Sequence, residues 1–378
     1  MRILLTIHHE VEQSSGAAGT TMQIGAAYRA LGHDVRFCSF ERIPRRRQLP
    51  VQAQQIGFPY VASTAALRLR RWADVVDGSS GDLWPLLALR AQDSGRGPVV
   101  LTRSHGLEHA SVDALRAEAD AGHVRLSRIY PLYHAGWRLR EVAISLRRAD
   151  AVFFLNDEDR EYAVDRLGVD ADRAYVMDNG LTQAFIGRSL APGGSVPRTI
   201  VQVGSFSLRK GIAYSVPALA RVLSERTDVH ASLLGTGLAA DEVRRHFSSE
   251  LHSRIAVVER YDQRELPDLV AGAAISLFAS VSEGFGKSLL ETMACGLAPV
   301  AASAPGPRRI VTDGNNGLLV PLRDAAALAR AMLRLLDDDE LRCRLAASAH
   351  ENAQHYTWDA TARGRLAVYE ALVKERVR

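Results

Sequence analysis

The chain has 378 residues, of which 47% are apolar and 24% charged, as in a soluble globular protein that is too long for one hydrophobic core. Its formal net charge of +4 suits anionic partners without identifying one. The three cysteines are widely spaced and odd in number, which argues against a disulfide framework and a zinc motif.

The longest apolar stretch, residues 269–281, is shorter than the roughly 20 residues that a membrane span requires. The apolar start MRILLTI is too short for a signal peptide. We therefore expect a cytoplasmic protein that is not integral to a membrane.

The first half of the chain predicts alternating strands and helices. An apolar run at 2–7 is followed by a helical pattern at 20–32, with Thr20 or Thr21 as N-cap and Gly32 as stop, and then by a strand at 33–40. This βαβ unit indicates a parallel α/β sheet. Further strands are predicted at ADVVDG, PVVLTRS and DAVFFLN, and the pattern pauses after AYVMDNG.

The same α/β rhythm restarts after a stretch rich in Gly, Pro and Ser, which has the composition of a linker. We predict an N-terminal domain at 1–187, a linker at 188–198, a C-terminal domain at 199–356, and a helix at 357–378 that packs back on the first domain. Two doubly wound domains of this kind face each other across a cleft, and their ligands bind beyond the carboxyl ends of the strands.

Two glutamates stand in an otherwise apolar segment, residues 280–302. Glu283 precedes a glycine-containing turn at 284–286, and Glu291 lies in the helix that follows. The glycines allow the backbone to approach a ligand, and the amides at the helix start favour an anion. The alternative is that Lys287 and Glu291 form a surface i,i+4 pair that stabilises the helix by only ~0.2–0.5 kcal/mol, with Glu283 in an ordinary loop.

A second motif, VQVGSFSLRKGI, ends a strand at Gly204 and places Arg209 and Lys210 before a helix. Adjacent Arg and Lys at the carboxyl end of a strand can neutralise a diphosphate, Arg through its fork and Lys as a point charge. A solvated basic pair is the alternative.

The first domain offers a histidine and a pair of aspartates. His105 follows an apolar strand, where it can serve as a hydrogen-bond donor or a base, although a lone histidine is often structural. Asp157 and Asp159 form a DxD pattern that can bind a metal ion, but acidic residues at a helix start also complement its dipole, and we favour that interpretation.

These motifs together resemble family 4 of the retaining glycosyltransferases, which have the GT-B fold. The segment EGFGKSLLETMACGLAPVAA, with Glu283 and Glu291, resembles the family's E-x7-E element, and VGSFSLRKG resembles its diphosphate loop. Further similar segments are AYVMDNGLTQAF, LLGTG, GNNGLLVP and the glycine loop at Gly16.

The resemblance implies a role for each matching residue. Arg209 and Lys210 would bind the donor diphosphate and stabilise the departing nucleotide, with Ser205 standing where the family often has an arginine. Glu283 would contact the hydroxyls of the transferred sugar, Glu291 the ribose, and His105 the donor sugar. The remaining donor-binding positions implied are Gly16, Gly204, Gly284, Phe285 and Gly286.

The implied function is a retaining glycosyltransferase that needs no metal or cofactor. It would move a sugar from a nucleotide-sugar donor to a sugar, a lipid-linked or a small-molecule acceptor. The alternatives are an NAD(P)-dependent oxidoreductase with tandem Rossmann-like halves and a non-catalytic sugar-nucleotide-binding module. The nearest match to a dinucleotide fingerprint, LLGTGLAA, has Ala240 in place of the third glycine.

Two arginine clusters in the first domain, RIPRRRQ and LRLRRW, remain outside these motifs. They predict either a solvated basic face or contact with anionic lipid head groups, peripheral at the inner face of the membrane, or with a phosphorylated acceptor. Nucleic-acid binding is not expected, because no aromatic-basic platform or recognition helix accompanies them.

Overall fold

The computed structural model describes residues 1–9, 16–44, 46–90, 97–127, 130, 132–188 and 198–377. The chain divides into two compact units. Unit 1 comprises Met1–Val112, Leu126–Gly180 and Thr357–Arg378, and unit 2 comprises Asp113–Arg125 and Leu181–Tyr356.

Within the described residues, unit 1 is built on a sheet of six parallel strands in the order β2-β1-β3-β4-β5-β6. The central strands are buried along their whole length, which agrees with their continuous apolar runs and with a sheet covered on both faces. The strands are β1 Arg2–Thr6, β2 Asp34–Cys38, β3 Val75–Ser79, β4 Val99–Arg103, β5 Ala151–Phe154 and β6 Ala174–Val176.

Helices connect these strands, as the predicted βαβ pattern requires. The first begins four residues before Thr20, so the predicted N-cap at Thr20 or Thr21 is wrong: both hydroxyls lie inside the helix and donate to the carbonyls one turn back, Gly16 O and Ala17 O. The helices are α1 Gly16–Ala30, α2 Val51–Arg68, α3 Trp84–Leu89, α4 Glu108–Asp120, α5 Arg138–Arg148 and α6 Asp157–Leu167.

Unit 2 contains a second parallel sheet, which has six strands in its described residues, in the order β12-β11-β10-β7-β8-β9. The chain order reverses between β7 and β10, which is the topological switch point of a doubly wound sheet. The strands are β7 Arg198–Val203, β8 Val229–Leu234, β9 Ile255–Val258, β10 Ile275–Phe278, β11 Ala298–Ala302 and β12 Leu318–Val320.

The helices of unit 2 flank this sheet and complete its core. The most strongly buried is the eight-residue helix that follows β10, in which six residues are buried. The helices are α7 Ile212–Glu225, α8 Ala240–Arg244, α9 Leu266–Leu269, α10 Lys287–Ala294, α11 Pro305–Ile310, α12 Ala325–Asp337 and α13 Asp339–Gln354. Two doubly wound α/β units confirm the predicted fold class.

The C-terminal helix, α14 Trp358–Val377, belongs to unit 1, as predicted. Tyr369, fully buried on this helix, donates a hydrogen bond of 2.5 Å to Asp77 Oδ2, and its hydroxyl lies 3.1 Å from that of Tyr28. Asp77 also pairs with the buried guanidinium of Arg103 at 2.8 Å. A buried polar network therefore fixes the last helix against the first sheet.

The contacts divide the chain differently from the predicted domain bounds. Unit 1 ends at Gly180 instead of residue 187, and Asp113–Arg125, in the middle of the predicted first domain, clusters with unit 2. There Glu118, 1% exposed, accepts hydrogen bonds from Tyr214 Oη and Arg323 Nε. Most of the predicted linker, residues 189–197, lies outside the described residues. In the described chain, no helix is long and apolar enough to cross a bilayer.

Gly180, the last residue of the second segment of unit 1, packs against the backbone at the start of α14, where the chain re-enters this unit. A Cβ at this position would stand 2.3 Å from Trp358 N, which is backbone and cannot rotate away. We expect Gly180→Ala to lower the free energy of unfolding by at least about 2 kcal/mol because of this overpacking. Chemical denaturation measures it, with Gly57→Ala as the control, since a Cβ at Gly57 meets nothing within 4 Å. Equal stability of the two variants would contradict this packing.

Candidate functional site

The site in unit 2 forms at the switch point of its sheet. β7 and β10 are neighbours, so the loops that leave their carboxyl ends meet although about 70 residues separate them in sequence. The amide of Val281 in the second loop donates 3.0 Å to Arg209 O in the first, which ties the two loops together. Ligands of doubly wound sheets bind at this position.

Glu283 lies between the two cations of the first loop. Its Oε2 atom is 2.6 Å from Lys210 Nζ and 3.4 Å from Arg209 Nη1. The side chains of Lys210 and Glu283 are 13% and 15% exposed, whereas Arg209 is 54% exposed. The structure thus brings together three of the four predicted catalytic residues.

The charges around Glu283 decide its protonation state. Burial alone raises the pKa of the carboxyl, but the charges of Lys210 and Arg209 and hydrogen bonds from Lys210 and Ser280 outweigh burial, and the net pKa is lowered. Glu283 is therefore an ionised, acceptor-only group at neutral pH.

The backbone of the first loop is shaped by two glycines on either side of Lys210. Gly204 has φ +133°, and a Cβ there would stand 3.1 Å from Lys210 Cε. Gly211 has φ +75°, and its Cβ would lie 1.9 Å from Ala279 O. Lys210 can therefore fold back over the strand end, where its ammonium lies 5.1 Å from the Phe278 ring centre.

The predicted turn at 284–286 leads directly into α10, whose N-cap is Gly286. Phe285 is 3% exposed and packs edge-on against Tyr356, so its side chain belongs to the core and only its backbone can serve a ligand. The amide of Gly306 donates 3.0 Å to Glu283 O and anchors the start of the turn. The amides of the first turn of α10 have no acceptor within the helix and can therefore face an anion.

Glu291 is 4% exposed, and its Oε1 lies 3.6 Å from Lys287 Nζ. The pair predicted by the surface alternative does form, but that interpretation is wrong because the carboxylate is buried. Burial raises the pKa of Glu291, although Lys287 and a hydrogen bond from Gln263 lower it in part. Sequence reasoning missed Gln263, because it follows β9 and no motif marks it.

Ser205, which stands where the resemblance expects an arginine, is exposed and carries no charge. Its hydroxyl lies 3.1 Å from that of Ser207 in the same loop. Arg209, four residues later, supplies a guanidinium beside Glu283 instead.

Gly16 and His105, the other predicted residues, lie in unit 1. Gly16 begins α1, and a Cβ at this position would meet none of the described atoms within 4 Å. His105 follows β4, and its Nε2 lies 3.4 Å from Ser79 Oγ. Burial, the charges of Arg103 and Arg365, and two neighbouring histidines hold the pKa of His105 well below its usual range. His105 is therefore a neutral imidazole at physiological pH, able to donate or accept a hydrogen bond.

The sequence analysis missed a pair of polar side chains in unit 1, His8 and Asp82. β1 and β3 flank the switch point of the first sheet. His8 follows β1 and Asp82 follows β3, and His8 Nδ1 lies 3.0 Å from Asp82 Oδ1. Asp82 is fully buried and also accepts from Thr6 Oγ1 at 2.6 Å. The doubled histidine directly after the first strand was the available signal.

The Asp157-x-Asp159 pattern forms the start of α6, which is the interpretation that the sequence analysis favours. Asp159 N donates 2.7 Å to Asn156 Oδ1, which caps α6, and the Asp159 carboxylate accepts from Leu107 N at 3.0 Å. Among the described residues, no group of three or more His, Cys, Asp or Glu side chains is placed to hold a metal ion.

Comparison with known proteins decides the family. A model described as "Glycosyltransferase Family 4" matches residues 14–184, and "Glycosyl transferases group 1" matches residues 197–338. The chain belongs to glycosyltransferase family 4. The resemblance read from the motifs is thereby confirmed, and the oxidoreductase alternative is not supported.

Relatives of this glycosyltransferase include a phosphatidyl-myo-inositol mannosyltransferase from Mycolicibacterium smegmatis, 25% identical over 98% of this chain and 94% of the relative. A D-inositol 3-phosphate glycosyltransferase from Xylanimonas cellulosilytica is 30% identical over 60% of this chain and 58% of the relative.

Two solved structures show the fold. Sucrose-phosphate synthase from Thermosynechococcus elongatus superposes with a TM-score of 0.79 at 19% identity, and 99% of each chain is covered. HepE from Anabaena, solved with UDP, has a TM-score of 0.70 at 18% identity over 98% of this chain and all of that one.

The lowered pKa of His105 predicts how stability depends on pH. The unfolded histidine takes up a proton near pH 6.5 and the folded one does not, so the free energy of unfolding falls as pH drops below about 6.5, by up to about 1.4 kcal/mol per pH unit. In His105→Asn this part of the dependence should disappear. Denaturation between pH 7.5 and 5.5 (about one unit to each side of that pKa) measures it, with His230→Asn, an exposed site, as the control. Parallel profiles for wild type and His105→Asn would disprove the assignment.

Proposed function

We propose that this glycosyltransferase transfers a sugar from a nucleoside-diphosphate donor, with retention at the anomeric carbon and without a metal ion. The observation that carries the proposal is the cluster of Arg209, Lys210 and Glu283 at the switch point of unit 2. It joins two cations, suited to a diphosphate, with one carboxylate, suited to hydroxyls.

The cations account for departure of the nucleotide. As the bond between the anomeric carbon and the diphosphate breaks, its electron pair stays on the diphosphate oxygen, where Lys210 and Arg209 meet the growing negative charge. Arg209 is half-exposed and can turn to the donor, whereas Lys210 is already held by Glu283. Charges fixed in advance lower the barrier because they need no reorganisation during the reaction.

The carboxylates account for binding of the donor hydroxyls. Glu283 is ionised, so it accepts hydrogen bonds from the transferred sugar and holds its ring beside the cations. Glu291 lies on α10, just over one turn from the helix start, where it pairs with Lys287 and suits the two hydroxyls of a ribose. The first amides of α10 add a partial positive charge toward the diphosphate.

Retention is supported by membership of the family and by its resemblance to the E-x7-E element of retaining enzymes. In the proposed step the acceptor oxygen bonds to the anomeric carbon on the face that the diphosphate leaves. The proton of the acceptor hydroxyl passes to the departing diphosphate oxygen, which holds the electron pair of the broken bond. Independence from metal is supported by the two side-chain cations, which supply the charge that a divalent ion supplies elsewhere.

The relatives suggest the substrates to test first. By their names, two of them act on phosphatidyl-myo-inositol and on D-inositol 3-phosphate, so each acceptor joins an inositol ring to a phosphate. HepE was solved with UDP and with UDP-glucose. We propose a phosphate-bearing acceptor and begin with a thermal-shift panel of UDP, GDP and ADP without added metal.

Removal of either the cation Lys210 or the carboxylate Glu283 should strongly lower the rate of sugar transfer. We expect Lys210→Ala and Glu283→Gln each to lower kcat at least about 100-fold, because each removes a charge that meets the donor. The control is Lys374→Ala, an exposed lysine on α14. Circular dichroism and thermal unfolding verify that the variants are folded, and near-normal turnover in either one would refute the assignment.

Stereochemistry and metal independence are tested in one reaction. Proton NMR of the first product should show the anomeric configuration of the donor, and EDTA should leave the rate unchanged. An inverted product would refute retention. Strong inhibition by EDTA would refute metal independence and favour the metal-binding interpretation of Asp157 and Asp159.

A further inference from the structure

The positive charge of the chain is concentrated in one stretch of unit 1. Residues 36–72 contain eight arginines and a single acidic residue, Glu41, so this stretch carries a net charge of +7 in a chain whose total is +4. The rest of the molecule is therefore net negative. Such a focus of charge attracts an anionic surface more strongly than the overall charge suggests.

The fold gathers arginines from separate parts of this stretch into one cavity. Arg36 on β2, Arg42 from the first arginine cluster and Arg68 from the second line a cavity of about 660 Å³. Within the described residues, none of the three forms an ion pair with a carboxylate. The guanidinium of Arg36 stacks over Trp72 at 4.1 Å, which orients it without neutralising it.

An apolar groove adjoins the arginine cavity. It has a volume of about 650 Å³ and runs between α2 and α3 toward the start of β4. Tyr60 and Thr64 line both the cavity and the groove, so the two are continuous. The aliphatic lining includes Ala66, Leu67, Leu86, Leu89 and Val100.

Three of the residues that line the groove, Tyr60, Leu67 and Leu89, are large apolar side chains exposed to solvent. Of the nine exposed large apolar side chains in the described residues, eight lie in unit 1. Leu89 is 89% exposed, and Ile56, Tyr60 and Leu67, which follow one side of α2, are 45–52% exposed. An apolar patch of this kind beside a charged rim marks an interaction surface.

We propose that this face binds an anionic phospholipid of a membrane surface. The headgroup phosphate occupies the cavity of Arg36, Arg42 and Arg68, and a hydrocarbon chain lies in the groove lined by Leu67 and Leu89. The groove argues against a nucleic acid, which has no aliphatic part to fill it. The three arginines are exposed and, within the described residues, form no ion pair, so their charges are available to an anionic headgroup. The inference goes beyond the proposed reaction and uses none of the residues of the unit 2 site.

Vesicle flotation of the full chain tests the proposal. Binding should require phosphatidylglycerol in phosphatidylcholine vesicles and should weaken as salt rises, since exposed charges are screened. The double variant Arg42→Gln/Arg68→Gln should bind about 25-fold more weakly, about fivefold for each arginine, or about 1 kcal/mol each. Its control, Arg245→Gln/Arg260→Gln, removes two exposed arginines of unit 2.

The groove is tested separately from the charge. Leu67→Gln/Leu89→Gln should weaken binding at high salt as well as at low salt, whereas Leu269→Gln, the exposed leucine of unit 2, should not. Equal binding to vesicles with and without phosphatidylglycerol, or full binding by Arg42→Gln/Arg68→Gln, would overturn the proposal. Stabilisation by inorganic phosphate without vesicle binding would also overturn it, in favour of a free phosphate ligand.

The response to nucleotide separates this inference from the proposed reaction. The thermal shift with UDP is measured in the same variants and should be unchanged, because the cluster of unit 2 is intact in all of them. If wild type binds anionic vesicles but no nucleoside diphosphate stabilises it, the proposed reaction fails and the lipid-binding face stands. The reverse result removes only the lipid-binding face.

Discussion

The ion pair between Lys210 and Glu283 is the contact on which the proposed donor site of unit 2 depends. A buried carboxylate is strongly disfavoured unless a cation neutralises it. Lys210 meets this requirement only because Gly204 and Gly211 allow the loop to bend over the end of β10. The same cation that stabilises Glu283 is the one a diphosphate would attract. A bound donor would give Lys210 a second anionic partner, its diphosphate, beside Glu283, while the half-exposed Arg209 could turn to the same diphosphate.

The two units place different polar residues at the equivalent position of their sheets. Each places polar side chains at the switch point of a parallel sheet, where the strand order leaves a crevice: Lys210 and Glu283 in unit 2, His8 and Asp82 in unit 1. In unit 2 two cations surround a carboxylate and lower its pKa. In unit 1 burial and neighbouring charges keep His105 neutral. The two cations of unit 2 suit a diphosphate, and the neutral imidazole of His105 suits a hydroxyl group.

The lipid-binding face proposed for unit 1 uses none of the residues described at the two strand edges. It depends on α2 and on arginines that sequence reading could leave as a solvated surface, because each cluster taken alone is unremarkable in a basic chain. The decisive fact is that Arg42 and Arg68 line one cavity and that this cavity continues into an apolar groove. A membrane-bound acceptor and a nucleotide donor would then approach different units of one enzyme.

The sequence by itself determined the two α/β domains, the turn at 284–286, the loop with Arg209 and Lys210, and the return of the last helix, because periodicity and glycine-rich turns are local signals. It misplaced the start of α1, since a threonine can either cap a helix or bond back within it. Only the tertiary structure decided that Glu291 is buried, that Gln263 reaches it, and that His8 meets Asp82. His8 meets Asp82 because β1 and β3 are neighbours, whereas Glu291 is buried and reached by Gln263 because α10 packs against the segment after β9. Both arrangements are fixed by packing between segments that are distant in sequence.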